Sequence, residues 1–191
     1  MNNKKPLLIL IAVFVALMVG ATVLYNNLGA TMTPEQLATQ ATEASAASDE
    51  AQPELQKVPD FTVYDLEGNP VNLYDYLGKP IVLNFWASWC GPCKSEMPEF
   101  NEVYLELGEE VQFLMINMTG GRETFSNATA YLAEQGFEFP VLYDLDMDAA
   151  ITYGIYSLPT TMLIDKDGYL VAYAAGAISG DALLQGIDMI R

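Results

Sequence analysis

The sequence predicts an α/β domain built on a mixed sheet, and three observations carry that prediction. Residues 81–87 form an almost continuous apolar run after Gly78-Lys79-Pro80, which is how a strand covered on both faces looks. Segments of strand and helix character alternate from about Val58 onward. Near the end, Asp165-Lys166-Asp167-Gly168 separates two strand-like runs as a hairpin turn, and an amphipathic segment follows. A β-α-β order ahead of a terminal hairpin requires both parallel and antiparallel pairing.

The chain starts with a different material. Residues 7–24 are an uncharged apolar run behind Lys4 and Lys5. As a helix rising about 1.5 Å per residue, the run spans roughly 27 Å, close to the ~30 Å hydrocarbon core of a bilayer. Lysines before it, and no basic residue soon after, predict a cytoplasmic N-terminus. The competing reading is a cleaved signal peptide, but its apolar region is usually shorter, and Leu28 is too large for a small-x-small site ending at Ala30. Residues 1–25 therefore read as an uncleaved single-pass anchor. Residues 26–57 are rich in Ala, Thr, Ser, Gln and Glu and read as an acidic tether. The capping box Thr33-Pro34-Glu35-Gln36 starts at most a marginal helix there. As a coil, the tether reaches on the order of 30 Å. The domain at 58–191 is then expected outside the cytoplasm, close to the membrane.

Within the domain, residues 61–64 and 71–73 read as short strands around the turn Asp65-Leu66-Glu67-Gly68-Asn69-Pro70. The strand at 81–87 leads to a helix from about Cys90 to Leu107, stopped by Gly108. A second buried strand covers 111–118. The helix at 123–135 carries Phe125, Ala128 and Leu132 on one face and stops at Gly136. A strand at 139–143, a short helix at 147–153, the hairpin of 160–164 with 169–175, and a helix at 181–190 complete the order. Asp144-Leu145-Asp146-Met147-Asp148 begins like a calcium loop, but Ala149 replaces the turn glycine and Ile155 the bidentate glutamate. It reads as a solvated turn.

Composition removes whole classes of function. With 8 basic and 25 acidic residues in 191, the net charge of −17 argues against nucleic acid, whose phosphates are held mainly by Lys and Arg. Histidine is absent, which excludes Ser-His and Cys-His catalysis and His-bound metal. Only two cysteines exist, so neither a Cys-rich zinc site nor a disulfide scaffold is available. No organic cofactor and no metal is expected.

The informative segment is Trp89-Cys90-Gly91-Pro92-Cys93. A strand enters it and a helix leaves it, the setting in which a Cys-x-x-Cys pair does redox chemistry. Spacing i, i+3 in a first helical turn places the Cα atoms about 5–6 Å apart, within disulfide range. Unpaired amides and the positive dipole end at a helix N-terminus stabilise a thiolate. Cys90 is thus expected to be the exposed attacking sulfur and Cys93 the resolving one. A purely structural disulfide would close a very short loop and restrain little chain entropy.

Residues 85–94, with Pro98 inside the helix, resemble the active site of thioredoxins, and Ser157-Leu158-Pro159-Thr160 resembles the loop whose proline is cis and lies against the cysteine pair. Val58-Pro59-Asp60-Phe61, Glu96-Met97-Pro98 and Leu163-Ile164-Asp165 look like the membrane-anchored TlpA/ResA-like branch. The resemblance covers about residues 58–191. It implies a thioredoxin fold with an N-terminal β-hairpin and a strand-helix insert at 123–143. It implies a thiol–disulfide oxidoreductase whose partners are client proteins with disulfides or dithiols, recharged by a transmembrane thiol carrier. Reduction is the favoured direction, with apocytochromes c among the clients it suggests. A disulfide-forming oxidase and a non-catalytic peptide-binding module are the alternatives. The substrate groove would comprise Trp89, Gly91, Pro92, Leu158 and Pro159, with Trp86 left for packing. Where a thioredoxin has a buried aspartate, this chain has Asn84, which cannot relay a proton. Glu96, three residues after Cys93 on the same helix face, is the compensating carboxylate.

Overall fold

Side-chain alternation along the central strand decides which residues reach the site. The computed structural model describes residues 56–191; the expected anchor and most of the expected tether lie outside them. Among the described residues, no helix is long and apolar enough to cross a membrane. The elements are β1 (Thr62–Tyr64), β2 (Pro70–Asn72), a 3₁₀ turn (Leu73–Tyr76), β3 (Ile81–Trp86), α1 (Gly91–Leu107), β4 (Gln112–Asn117), α2 (Phe125–Gln135), β5 (Val141–Tyr143), α3 (Asp148–Tyr153), β6 (Thr160–Ile164), β7 (Leu170–Ala175) and α4 (Gly180–Ile190).

All six residues of β3 are buried, as its apolar run predicts. It pairs parallel with β4 and antiparallel with β6, at the centre of a seven-stranded sheet ordered β2-β1-β5-β4-β3-β6-β7. Val82 and Trp86 point to the face covered by α1, α2 and α4, where Met97, Phe100, Leu183 and Ile187 pack. Ile81, Leu83 and Phe85 point to the other face, against Phe61, Leu73 and Ala149. Asn84, in phase with Val82 and Trp86, is therefore on the face of α1. Each fully buried large apolar side chain of this set contributes about 1.5–3 kcal/mol.

Local chemistry sets the helix ends. Thr124 Oγ accepts the Asn127 amide at 3.1 Å to start α2, and Gly136 stops it at φ 69°, a left-handed conformation that costs glycine little. Ser179 Oγ accepts the Ala182 amide at 3.3 Å to start α4. The insert is not an appendage: β5 lies between β4 and β1, parallel to the first and antiparallel to the second. It thereby joins the N-terminal hairpin to the main sheet.

Two sequence readings are corrected. Asp144, expected in a solvated turn, is buried, and its carboxylate accepts the amides of Ala149 at 3.2 Å and Ala150 at 2.9 Å. The first turn of α3 has unpaired N–H groups, and a carboxylate just before it satisfies two of them; burial nevertheless raises its pKa. Asp148 likewise accepts the Thr62 amide at 2.8 Å, tying α3 to β1. The second correction concerns the boundary of the tether. Gln56 O accepts the Leu170 amide at 3.0 Å, and Lys57 pairs with Tyr169, so sheet pairing already includes these two residues. Backbone pairing of this kind needs no side-chain signal.

Candidate active site

The active-site turn forms where β3 ends. Ala87 O accepts the Cys90 amide at 3.1 Å, which turns the chain and leaves Cys90 as the N-cap of α1. Pro92 in the first turn gives up no needed amide. The Cys93 amide, one of the unpaired donors of the helix start, reaches Cys90 Sγ at 3.2 Å. Cys90 and Cys93 form a disulfide with Cα atoms 5.3 Å apart, inside the spacing expected from the sequence. In this oxidised form Cys90 is not the exposed sulfur anticipated: it keeps only 4% exposure and Cys93 none. Trp89, Gly91 and Pro92 stand exposed around the buried disulfide.

Glu96, one turn further along α1, is 2% exposed. Its Oε1 accepts from Asn84 Nδ2 at 2.9 Å, and its Oε2 accepts the Ile178 amide at 3.0 Å. Burial drives its pKa up to about 7, against the pull of those two hydrogen bonds, which favour the charged form. A carboxyl group so placed is half-protonated near neutral pH. Asn84 Nδ2 also donates to Thr161 Oγ1 at 3.0 Å, directly across the β3–β6 pair, while Asn84 Oδ1 has no partner among the described residues. The asparagine in place of the expected aspartate thus holds Glu96 rather than replacing it. Glu99, on the same helix, accepts the Gly180 amide, so two glutamates of α1 fasten the segment leading into α4.

The other expected residues fall around this centre. Trp89 is 44% exposed, whereas Trp86 is fully buried and packs on Tyr131 at 6.0 Å. The Leu158–Pro159 peptide is cis; Pro159 is buried, and half-buried Leu158 packs against the cluster that contains both cysteines. Lys94 faces solvent, its ammonium 5.3 Å from the Tyr131 ring.

Three residues near the site escaped the sequence reading. Glu123, buried, accepts both the amide of Ser88 and the Ser88 hydroxyl (2.9 Å), so it fixes the loop just before Trp89. It also accepts the Thr124 amide at 3.0 Å. Its neighbour Arg122 places its guanidinium 4.6 Å from the centre of the Trp89 ring. Tyr156, two residues before Leu158, is 98% exposed. Nothing local marks the hold of Glu123 on Ser88 or of Arg122 on Trp89, because those two residues lie more than thirty positions earlier in the chain. An aromatic residue just before Ser157-Leu158-Pro159 was the one available signal for Tyr156.

A thioredoxin-like sheet carrying a Cys-x-x-Cys disulfide at a helix N-terminus defines the class of thiol–disulfide oxidoreductases, and this protein is an enzyme of that class. Residues 55–173 match the AhpC/TSA family, and the chain belongs to it. It is 37% identical over 134 residues to the thiol-disulfide oxidoreductase ResA of Geobacillus thermodenitrificans, a match covering 70% of this chain and 75% of that protein. The thioredoxin-like protein YneN of Bacillus subtilis is 31% identical over 136 residues, covering 71% of this chain and 79% of its own length. Among solved structures, the pneumococcal exposed lipoprotein thioredoxin Etrx1 of Streptococcus pneumoniae is similar, with 32% identity and a TM-score of 0.61; 68% of this chain and 98% of that one are covered.

Proposed function

We propose that this protein is a membrane-tethered reductase of protein disulfides, acting outside the cytoplasm through Cys90, Cys93 and Glu96. The observation that carries the catalytic part is the buried Glu96 carboxyl, poised near pH 7 one turn beyond the disulfide. In the reduced enzyme, the Cys90 thiolate attacks one client sulfur, a mixed disulfide forms and a client thiolate leaves. Cys93 then loses its proton to Glu96 and attacks Cys90 Sγ. The Cys90–Cys93 disulfide forms and the second client sulfur departs as a thiolate. Two electrons have passed to the client, whose thiolates take their protons from solvent, while the Cys93 proton stays on Glu96. A transmembrane thiol carrier returns those electrons, with Glu96 handing its proton back to Cys93. Trp89, Gly91, Pro92, Leu158 and Pro159 form the groove in which the client lies.

The direction rests on Gly91-Pro92, which matches reducing thioredoxins, and apocytochromes c are proposed clients on the resemblance to the TlpA/ResA-like branch. Equilibrium titration of the cysteine pair against glutathione tests it. A potential near or below about −250 mV is expected, and a value near −120 mV would instead mark an oxidase. Topology rests on Lys4, Lys5 and the apolar run at 7–24. Protease added to spheroplasts is expected to release the domain by cutting between residues 26 and 55. Full protection of the protein would refute the proposed orientation.

A further inference from the structure

Basic residues are scarce among residues 56–191, and three of the six are held by oxygen acceptors. Lys166 pairs with Asp167 at 2.8 Å, Arg191 with Glu110 at 3.1 Å, and Lys79 donates to the Glu109 carbonyl at 2.7 Å. Lys57, Lys94 and Arg122 instead lie over aromatic rings, and of these Arg122 is the one beside the active-site tryptophan. It is exposed, and among the described residues no carboxylate lies within 4.0 Å of it. Its guanidinium stacks over Trp89, the residue immediately before Cys90, at 4.6 Å. The backbone that carries it is not loose, because buried Glu123 is bonded to the amide and hydroxyl of Ser88. One acidic side chain thus fastens the loop of Arg122 to the loop of the active-site tryptophan.

We propose that Arg122, held over Trp89, is the docking point for a carboxylate of the client, so that the enzyme prefers client cysteines with an Asp or Glu beside them. This rests on the disulfide-exchange reading of Cys90 and Cys93. A guanidinium already stacked on an indole has lost much of its rotamer freedom, and contact with the ring face leaves its N–H donors free to bind a carboxylate. A planar fork of donors matches a carboxylate in two parallel hydrogen bonds. Lys94, one turn along α1 from Cys90 and lying over Tyr131, adds a second positive charge to the same end of the helix. The rest of the chain opposes this preference. A net charge of −17 repels acidic peptides at long range, so local docking and overall charge predict opposite outcomes.

The test uses the reduced full chain and a series of short peptides closed by one Cys-x-x-Cys disulfide. Each carries a Glu at one position flanking the cysteines, matched by the same peptide with Gln. At one flanking position the Glu peptide is expected to be reduced about fivefold faster than its Gln partner, and the difference shrinks in 0.5 M salt. Arg122→Gln brings that ratio to about one, and Arg122→Glu moves the preference to a Lys peptide. Glu and Gln peptides reduced alike by wild type, or the Glu peptides slower throughout, would overturn the proposal. So would Arg122→Gln slowing every peptide equally, since that is the signature of mere support for Trp89. Failure of wild type to reduce any peptide would remove the exchange reading itself, and the docking role with it.

Discussion

Cys93→Ala is expected to accumulate client proteins covalently bound to Cys90, while Cys90→Ala accumulates none. The asymmetry follows from position. Cys90 caps α1, where its sulfur already receives the Cys93 amide at 3.2 Å and meets the positive end of the helix dipole. Cys93 is completely buried one turn inside, so it can reach Cys90 but no external disulfide. Without Cys93, the mixed disulfide has no resolving thiol and persists. Turnover is lost in both variants, but only one traps. Non-reducing gels of each variant after exposure to extracytoplasmic protein read the result, and equal trapping by the two would overturn the assignment of roles.

Glu96→Gln is expected to fold and to form the disulfide, yet to turn over about 10²-fold more slowly, within the range for lost general acid–base help. The fold survives because Asn84 Oδ1 is unpartnered: the Asn84 amide can rotate so that this oxygen accepts from the newly introduced side-chain amide, with the Thr161 hydroxyl then donating to it. Proton transfer does not survive, since an amide neither takes the Cys93 proton nor returns it. The pH dependence of Cys90 alkylation is expected to simplify, because thiols and carboxyl no longer titrate as a coupled set. Stability gives an independent readout. The Glu96 pKa is about 7 in the folded protein and 4.5 as the ordinary value, so between these the folded state keeps a proton that the unfolded chain has released. Its contribution is fully present below 4.5 and is lost as pH rises through 7, on the order of 3 kcal/mol in all. Urea midpoints of wild type are therefore expected to fall across that window, and those of the variant to fall less. A variant matching wild type in rate, alkylation profile and stability slope would reduce Glu96 to an ordinary helix residue.

The fold was legible because its strongest signals are local. A run such as 81–87 is apolar on both faces only if both faces are covered, and the structure buries β3 throughout. Gly136 stops its helix in a left-handed conformation at the place its position predicts, and Gly154 does the same for α3. The short strands were less sharp: the strand expected at 139–143 is paired only over Val141–Tyr143, and Leu73 belongs to the 3₁₀ turn rather than to β2. Three-residue strands are set by the partner they find, not by their own pattern. Asp144 was misread for a related reason. Alternating aspartates look solvated until a helix start turns its free amides towards one of them.

By itself, the sequence determined the chemistry available to this protein. With no histidine and one cysteine pair spaced for the first turn of a helix, disulfide exchange is the chemistry these residues offer, and helical periodicity alone places Glu96 one turn from Cys93. Tertiary structure decided what those groups experience. The burial that raises the Glu96 pKa to about 7 depends on the sheet beneath it and on the segment at Ile178, far apart in the chain. The fastening of Ser88 by Glu123, and the cation that Arg122 sets over Trp89, require the insert to fold back beside the active-site loop. Residue type and spacing are one-dimensional properties; desolvation and electrostatic field come from everything within a few ångströms, most of it supplied by distant parts of the chain.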